Sequence, residues 1–178
     1  FYQYDELGRL TKVRRRTPED KDTRFPDKDH ALLSVDYDYD AVGNIRHTKV
    51  SANYTGFERL NHEEYFAYDD NNRMTINKGA LVNDTIAITS TQGSSIAYDE
   101  AGNISDSSQY DNKVLQKYHY QYNKDNQLEL VELNKIALQA KSYDESGRIK
   151  EERAFNTQGH LSQISSMTYE HGQLMHQE

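Results

Sequence analysis

The stretch VDYDYDAVGNI, residues 35–45, sets Asp36, Asp38 and Asp40 at alternate positions and interleaves them with Tyr37 and Tyr39. Three carboxylates so spaced could belong to a calcium loop, to a carboxylate pair for acid/base chemistry, or to one face of a strand. A calcium loop of the EF-hand type needs glycine at its sixth position and a bidentate Glu at its twelfth. Counted from Asp36, those positions hold Ala41 and His47, so both requirements fail. Alternation with period 2 sends the aspartates to one face of a strand and the tyrosines to the other. The three are therefore expected on one strand face, with no metal bound.

The remaining chemistry-bearing residues give no stronger signal. His160, His171 and His176 lie close together in sequence, but His171 and His176 are five apart, which puts them on opposite faces of a strand. No Glu-flanked helical metal motif accompanies them, so they read as surface histidines. The basic run KVRRR, Lys12 to Arg16, could hold a sulfated glycan or an anionic lipid, yet it adjoins an acidic segment and is expected to pair internally or stay solvated. Asn53, Asn83 and Asn103 each open an N-x-[ST] triplet, an ordinary number for this composition. No catalytic residue, metal or cofactor is expected.

Composition narrows the class. Of 178 residues, 35% are apolar even with 14 tyrosines counted, and Trp and Cys are absent. Mean hydropathy is −1.01, so a thick two-layer core would be hard to fill. Disordered chains are poor in aromatics, whereas this one is 11% aromatic with two prolines. Without cysteine there is no disulfide framework, thiolate metal site or Cys nucleophile. A net charge of −8 disfavours nucleic acid as a partner. No apolar run approaches the 18 or so residues of a membrane span, and no signal stretch opens the chain. Residue 1 is Phe, which is expected of a piece of something longer.

The second half of the opening stretch is one copy of a repeat. YDELGRL begins at Tyr4, YDAVGNI at Tyr39, YDDNNRM at Tyr68, YDEAGNI at Tyr98, YNKDNQL at Tyr122 and YDESGRI at Tyr143. FNTQGHL at Phe155 is a looser copy, and YEHGQL at Tyr169 is one residue shorter. Each reads as a hairpin corner. The Asp accepts a hydrogen bond from the backbone two residues on, and Gly, or Asn at 72 and 126, takes the position of positive φ. The aromatic that opens the copy and the aliphatic that closes it (Leu10, Ile45, Met74, Ile104, Leu128, Ile149) are expected to meet as a cross-strand pair.

Between corners the chain must turn back. LELVEL, Asn134-Lys135 and IALQAKSY predict strand, two-residue turn and strand, and the repeat favours this over a helix across residues 128–141. ALV-ND-TIAI, residues 80–88, has the same form. Corner spacings of 35, 29, 30, 24, 21, 12 and 14 residues make the repeat irregular. The largest insertion, Arg14 to His30, is charged and aperiodic and predicts a surface loop. The expected fold class is all-β: irregular β-hairpin repeats in a curved, spiralling antiparallel strip, with residues 1–178 as a single array.

At its Y-D-x-x-G-[RN]-[LI] corners the sequence resembles the YD-repeat, or Rhs, family over nearly its whole length. The resemblance implies a β-strip that spirals into a hollow shell, as in bacterial polymorphic toxins, insecticidal toxin complexes and the related teneurin barrel. It implies a secreted or bacterial cell-surface protein whose partners are the rest of the shell and an enclosed C-terminal toxin. It also offers an alternative, a carbohydrate-binding or adhesion module with exposed tyrosines stacking on sugars. The Asp-Pro signature of the self-cleaving segment in many such toxins is absent from this sequence. The expected role is a non-enzymatic wall segment of the shell.

Overall fold

A computed structural model describes residues 1–16, 31–53, 58–171 and 173–177. By contacts the chain forms two compact units, Phe1–Ser94 and Ser95–Glu178. The first holds β1 (Tyr2–Tyr4), β2 (Leu10–Arg15), β3 (Leu33–Tyr39), β4 (Ile45–Ala52), β5 (His62–Tyr68), β6 (Met74–Val82) and β7 (Thr85–Ala87). β1 to β6 pair in sequence order, and β7 pairs β6. The second unit holds β8 (Ser94–Tyr98, starting at the boundary), β9 (Ile104–Asp111), β10 (Val114–Tyr122), β11 (Leu128–Leu133), β12 (Ile136–Tyr143), β13 (Ile149–Phe155), β14 (Leu161–Glu170) and β15 (Gln173–Gln177), again in sequence order. The all-β class holds. The strand pairs among the described residues are antiparallel, and one turn of 3-10 helix, Glu58–Leu60, is the helical structure there. No helix there is long and apolar enough to cross a membrane.

Corners make one edge of each strip. In the backbone register the opening aromatic faces the closing aliphatic: Tyr4 and Leu10, Tyr39 and Ile45, Tyr68 and Met74, Tyr122 and Leu128, Tyr143 and Ile149. A one-residue irregularity directly precedes each of these tyrosines, as a bulged loop requires. Gly8, Gly43, Gly102 and Gly147 sit at φ 77, 101, 91 and 79°, and Asn72 and Asn126 both at 60°. The shorter copy closes through positive-φ His171, with Tyr169 opposite Leu174.

The strands return through two-residue turns in which both residues have positive φ: Asn83-Asp84, Asn112-Lys113 and Asn134-Lys135. That backbone matches the twist of the flanking strands, and Asn and Asp tolerate it. Residues 128–141 are thus two strands and a turn, not a helix. The sequence reading has no turn at Asn112-Lys113.

Three expectations need correction. Asp40 does not share a strand face with Asp36 and Asp38: β3 ends at Tyr39, and Asp40 is the first turn residue. Arg14 and Arg15 are not loop; they end β2, and Arg14 is 5% exposed. Arg16 follows the strand, and residues 17–30 of that predicted loop lie outside the described residues. The corner at Phe155 makes the expected turn, with Gly159 at φ 80° and Phe155 opposite Leu161, but at the other edge of its strip. Only β13 separates it from the Tyr143 corner.

Little is sealed from water. Among the described residues the buried hydrophobic side chains are Ala31 and Ala52, and the buried polar ones are Arg14, Ser34 and Ser165. Most side chains of the described strands are exposed or half-buried.

Candidate functional site: the corner edge

Each corner is closed by its own first residue. Asp144 accepts the Ser146 and Arg148 amides on Oδ1, at 2.9 and 3.0 Å, and the Arg148 Nε on Oδ2 at 2.8 Å. Asp5 does the same with Leu7 and Arg9, and Asp69 with Asn71 and Arg73. In the Asn versions, Asn44 Nδ2 donates to Asp40 and Asn103 Nδ2 to Asp99, both at 3.0 Å. Asn123 keeps the turn as a neutral residue: its Oδ1 accepts the Asp125 and Gln127 amides, and its Nδ2 donates to Gln127 Oε1 at 2.9 Å.

These bonds set the electrostatics. The amide of Arg9, Arg73 or Arg148, followed by other donors, holds Asp5, Asp69 and Asp144 below the usual carboxylate range. The Asn103 side chain does so for Asp99. At Asp40 partial desolvation pushes upward, but the Asn44 side chain and amide, with Val42 and Gly43, pull the carboxyl below its ordinary value. The carboxylates that sequence offered for acid/base work thus have their oxygens engaged in the turns.

A second set of bonds joins corner to corner. Tyr39 Oη donates to the Leu10 carbonyl at 2.8 Å and Tyr68 to that of Ile45 at 3.0 Å. Tyr122 reaches Ile104 at 3.0 Å, Tyr143 reaches Leu128 at 2.7 Å and Tyr169 reaches Ile149 at 2.9 Å. Each hydroxyl finds the closing aliphatic of the preceding corner on the same edge. In the opposite direction, the residue before that aliphatic reaches the next corner. The Arg9 guanidinium lies 4.6 Å from the Tyr39 ring centroid and Arg148 4.5 Å from that of Tyr169. Gln127 donates to the Gly147 carbonyl at 2.8 Å.

The departures from glycine belong to this second set. Asn44 Nδ2 donates to Asn72 Oδ1 at 3.3 Å, and Asn103 Nδ2 to Asn126 Oδ1 at 3.1 Å. Asn in place of Gly thus follows each corner that carries Asn at its sixth position. The pairing was readable from the aligned copies, whereas the tyrosine hydroxyl bonds left no signal beyond the tyrosine itself.

The residues singled out from sequence are dispersed. Asp36 accepts from Arg14 Nη2 at 2.5 Å and Asp38 lies 2.8 Å from His47 Nδ1, so the basic run pairs internally through Arg14. His160 lies in the Phe155 corner, His171 in the turn at the other edge and His176 in β15. Among the described residues no group of three His, Cys, Asp or Glu is placed to hold a metal. Asn103 of its triplet is engaged in a corner, Asn83 opens an exposed turn, and the triplet at Asn53 runs outside the described residues. The corner tyrosines from Tyr39 onward are half-buried, while Tyr2 and Tyr4 are 65% and 58% exposed.

No family model matches the sequence, and no curated protein matches it. Among solved structures the chain is similar to one from the Photorhabdus luminescens Tc holotoxin pore, at 16% identity and TM-score 0.43, covering 94% of this chain and 10% of that one. It is likewise similar to a chain of the TcdB2–TccC3 structure, at 16% identity and TM-score 0.43, covering 94% of this chain and 11% of that one. For the TcdB2–TccC3–Cdc42 structure the values are 16%, 0.35, 97% and 12%. The chain thus spans about a tenth of the length of the Tc-toxin chains it matches.

Proposed function

We propose that this chain is a structural wall segment of a YD/Rhs-repeat shell that encloses a C-terminal toxin or effector domain, in a protein that is secreted or held on a bacterial surface. The observation that carries the reading is the line of tyrosine-to-carbonyl bonds along the corner edge, from Tyr39 to Leu10, Tyr68 to Ile45 and Tyr143 to Leu128. Repeats joined in this way need only their neighbours, so the strip can be prolonged without a growing core. A sheet with so few sealed apolar side chains suits a wall wetted on both sides. The chain's part is architectural, and the chemistry resides in the enclosed domain.

The test is electron cryo-microscopy of the intact gene product, together with protease protection. A hollow particle with this strip in its wall, and a C-terminal domain that resists protease until the wall is denatured, is the expected result. A particle without an interior cavity, or a C-terminal domain cleaved as fast as a free one, overturns the reading.

A further inference from the structure

Inside the second unit, β10 runs past the end of its neighbour β11. Their register closes at Tyr118 opposite Leu133, because the chain turns back at Asn134-Lys135. The Asn134 amide donates to the Lys117 carbonyl at 2.8 Å, and Asn134 Oδ1 accepts the Lys117 amide at 3.0 Å. Asn134 Nδ2 also donates to Gln116 Oε1 at 3.0 Å, so the turn abuts β10 at that point. Beyond Lys117 the strand continues back to Val114, paired on its other side with β9 as far as Asp111. In an antiparallel ladder successive residues turn their amide and carbonyl to alternate sides. Leu115 therefore points both groups to the same side as Lys117, and no described strand lies in register with it there. The step beside the Asn134-Lys135 turn is a short open strand edge.

Three lysines border this edge: Lys113 in the β9–β10 turn, Lys117 on the strand and Lys135 in the adjoining turn. All three are exposed, and among the described residues none has an ion-pair partner. Lys49, Lys78 and Lys141, by contrast, pair with Glu63, Glu64 and Glu152. The acids that the register brings nearest are Asp111, Asp106 and Glu132. Asp106 is taken by His119 at 2.8 Å, Glu132 is half-buried opposite His119, and Asp111 flanks the turn. The edge thus carries an excess of positive charge in a chain whose net charge is −8. It also offers apolar contact: Val114 is 58% exposed and Ile136 37%, while Leu115 and its cross-strand partner Tyr110 are half-buried.

We propose that an acidic peptide in extended conformation adds to β10 as a further strand on the β11 side, its main chain bonding to Leu115 and its carboxylates facing Lys113, Lys117 and Lys135. In this mode of recognition main-chain bonds to an open edge supply affinity, and alternate side chains supply the choice of partner. Lysines along an open edge repel a second copy of that edge, so the charge selects an acidic strand over self-pairing. The proposal goes beyond the wall reading, since it concerns one hairpin and holds whether or not anything is enclosed.

The probe is a blocked heptapeptide alternating Glu and Val, tagged with fluorescein and titrated with the 178-residue chain by fluorescence anisotropy. Saturable binding that weakens as salt is raised is expected, with slower hydrogen exchange across β10 in the presence of the peptide. The double variant Lys113→Glu/Lys117→Glu should weaken binding about tenfold or more, with the fold retained by circular dichroism because both side chains are exposed. A peptide alternating Lys and Val should not bind. N-methylation of every second residue of the acidic peptide keeps its charge and removes alternate main-chain donors. Binding should be lost in the frame whose amides face β10 and kept in the other. Equal binding by the two methylated peptides would mean ion pairing without strand addition, which overturns the proposal. So does binding that never saturates, or that the double lysine variant leaves intact.

Discussion

The hydroxyl of Tyr143 donates to the carbonyl of Leu128 at 2.7 Å, across the boundary between one corner and the next. The same bond recurs at Tyr39, Tyr68, Tyr122 and Tyr169. The tyrosine of this repeat therefore contributes its oxygen as well as its ring. Tyr143→Phe retains the ring and removes the donor, and it should lower stability by about 0.5–1.5 kcal/mol. Tyr2→Phe, exposed on β1, should have no measurable effect on monomer stability. Urea denaturation at a concentration where the chain is monomeric checks both, and equal midpoints for the two variants would refute the bond's importance.

Backbone strain should dominate over strand carboxylates. Gly43 and Gly102 stand at φ 101° and 91°, where a β-branched side chain is strained. Val at either position should cost more than the roughly 1 kcal/mol of an ordinary glycine replacement. Asp38→Asn should cost little, because Asp38 is 71% exposed and its partner is His47 on the neighbouring strand. Thermal melts that ranked these variants in the reverse order would contradict the account of the corners.

Acid should loosen the corners. Asp5, Asp40, Asp69, Asp99 and Asp144 all have folded values lowered from 3.8. A carboxyl depressed in the folded state contributes stability that is fully present above its unfolded pKa, near 4, and is lost as pH falls through the folded value. Melting temperature should therefore be flat from pH 7 to about 5 and fall steeply below about 4. Asn123 shows that the turn accepts a neutral residue. An Asp69→Asn/Asp144→Asn variant should accordingly melt with a shallower acid slope, and an unchanged slope would mean that acid acts elsewhere.

Calcium should leave the melting temperature unchanged. Asp36 is bonded to Arg14, Asp38 to His47 and Asp40 to its own turn, so no oxygen cluster faces a common centre. A ligand that does not bind the native state cannot stabilise it. A saturable rise in millimolar calcium, abolished by Asp36→Asn/Asp40→Asn, would reverse this conclusion.

Asn103 and Asn126 should be thermodynamically coupled. Their side-chain bond spans two corners, so Asn103→Ala and Asn126→Gly together should cost less than the sum of the two singly. The expected coupling is about 0.5 kcal/mol, that of a partly exposed hydrogen bond. Strict additivity in a double-mutant cycle would mean that the Asn at position 126 serves its own turn alone.

What the sequence makes legible here is local. A corner's seven residues name their own hydrogen bonds, so the turns, the positive-φ positions and the facing of Tyr39 with Ile45 follow from spacing. Turns such as Asn134-Lys135 follow because alternation on both sides forces a reversal. The edge on which a corner lies is not local. It depends on how many strands intervene, and the 12 residues from Tyr143 to Phe155 hold a corner and one strand, not two. Arg14 misled the loop reading because charge argues for exposure, whereas Asp36 on the neighbouring strand lets the guanidinium be buried. The tyrosine hydroxyls were illegible because their acceptors are carbonyls, which every residue possesses.

The tyrosine bonds described along the corner edge run between neighbouring corners, and this has a mechanical consequence. A load applied at one end of such a strip is borne by the terminal junction before any other, as in a zipper, rather than shared across a common interior. Pulled from an end, the strip yields one hairpin at a time and re-forms from whatever remains, so a nick or lesion weakens its own neighbourhood and spares the rest.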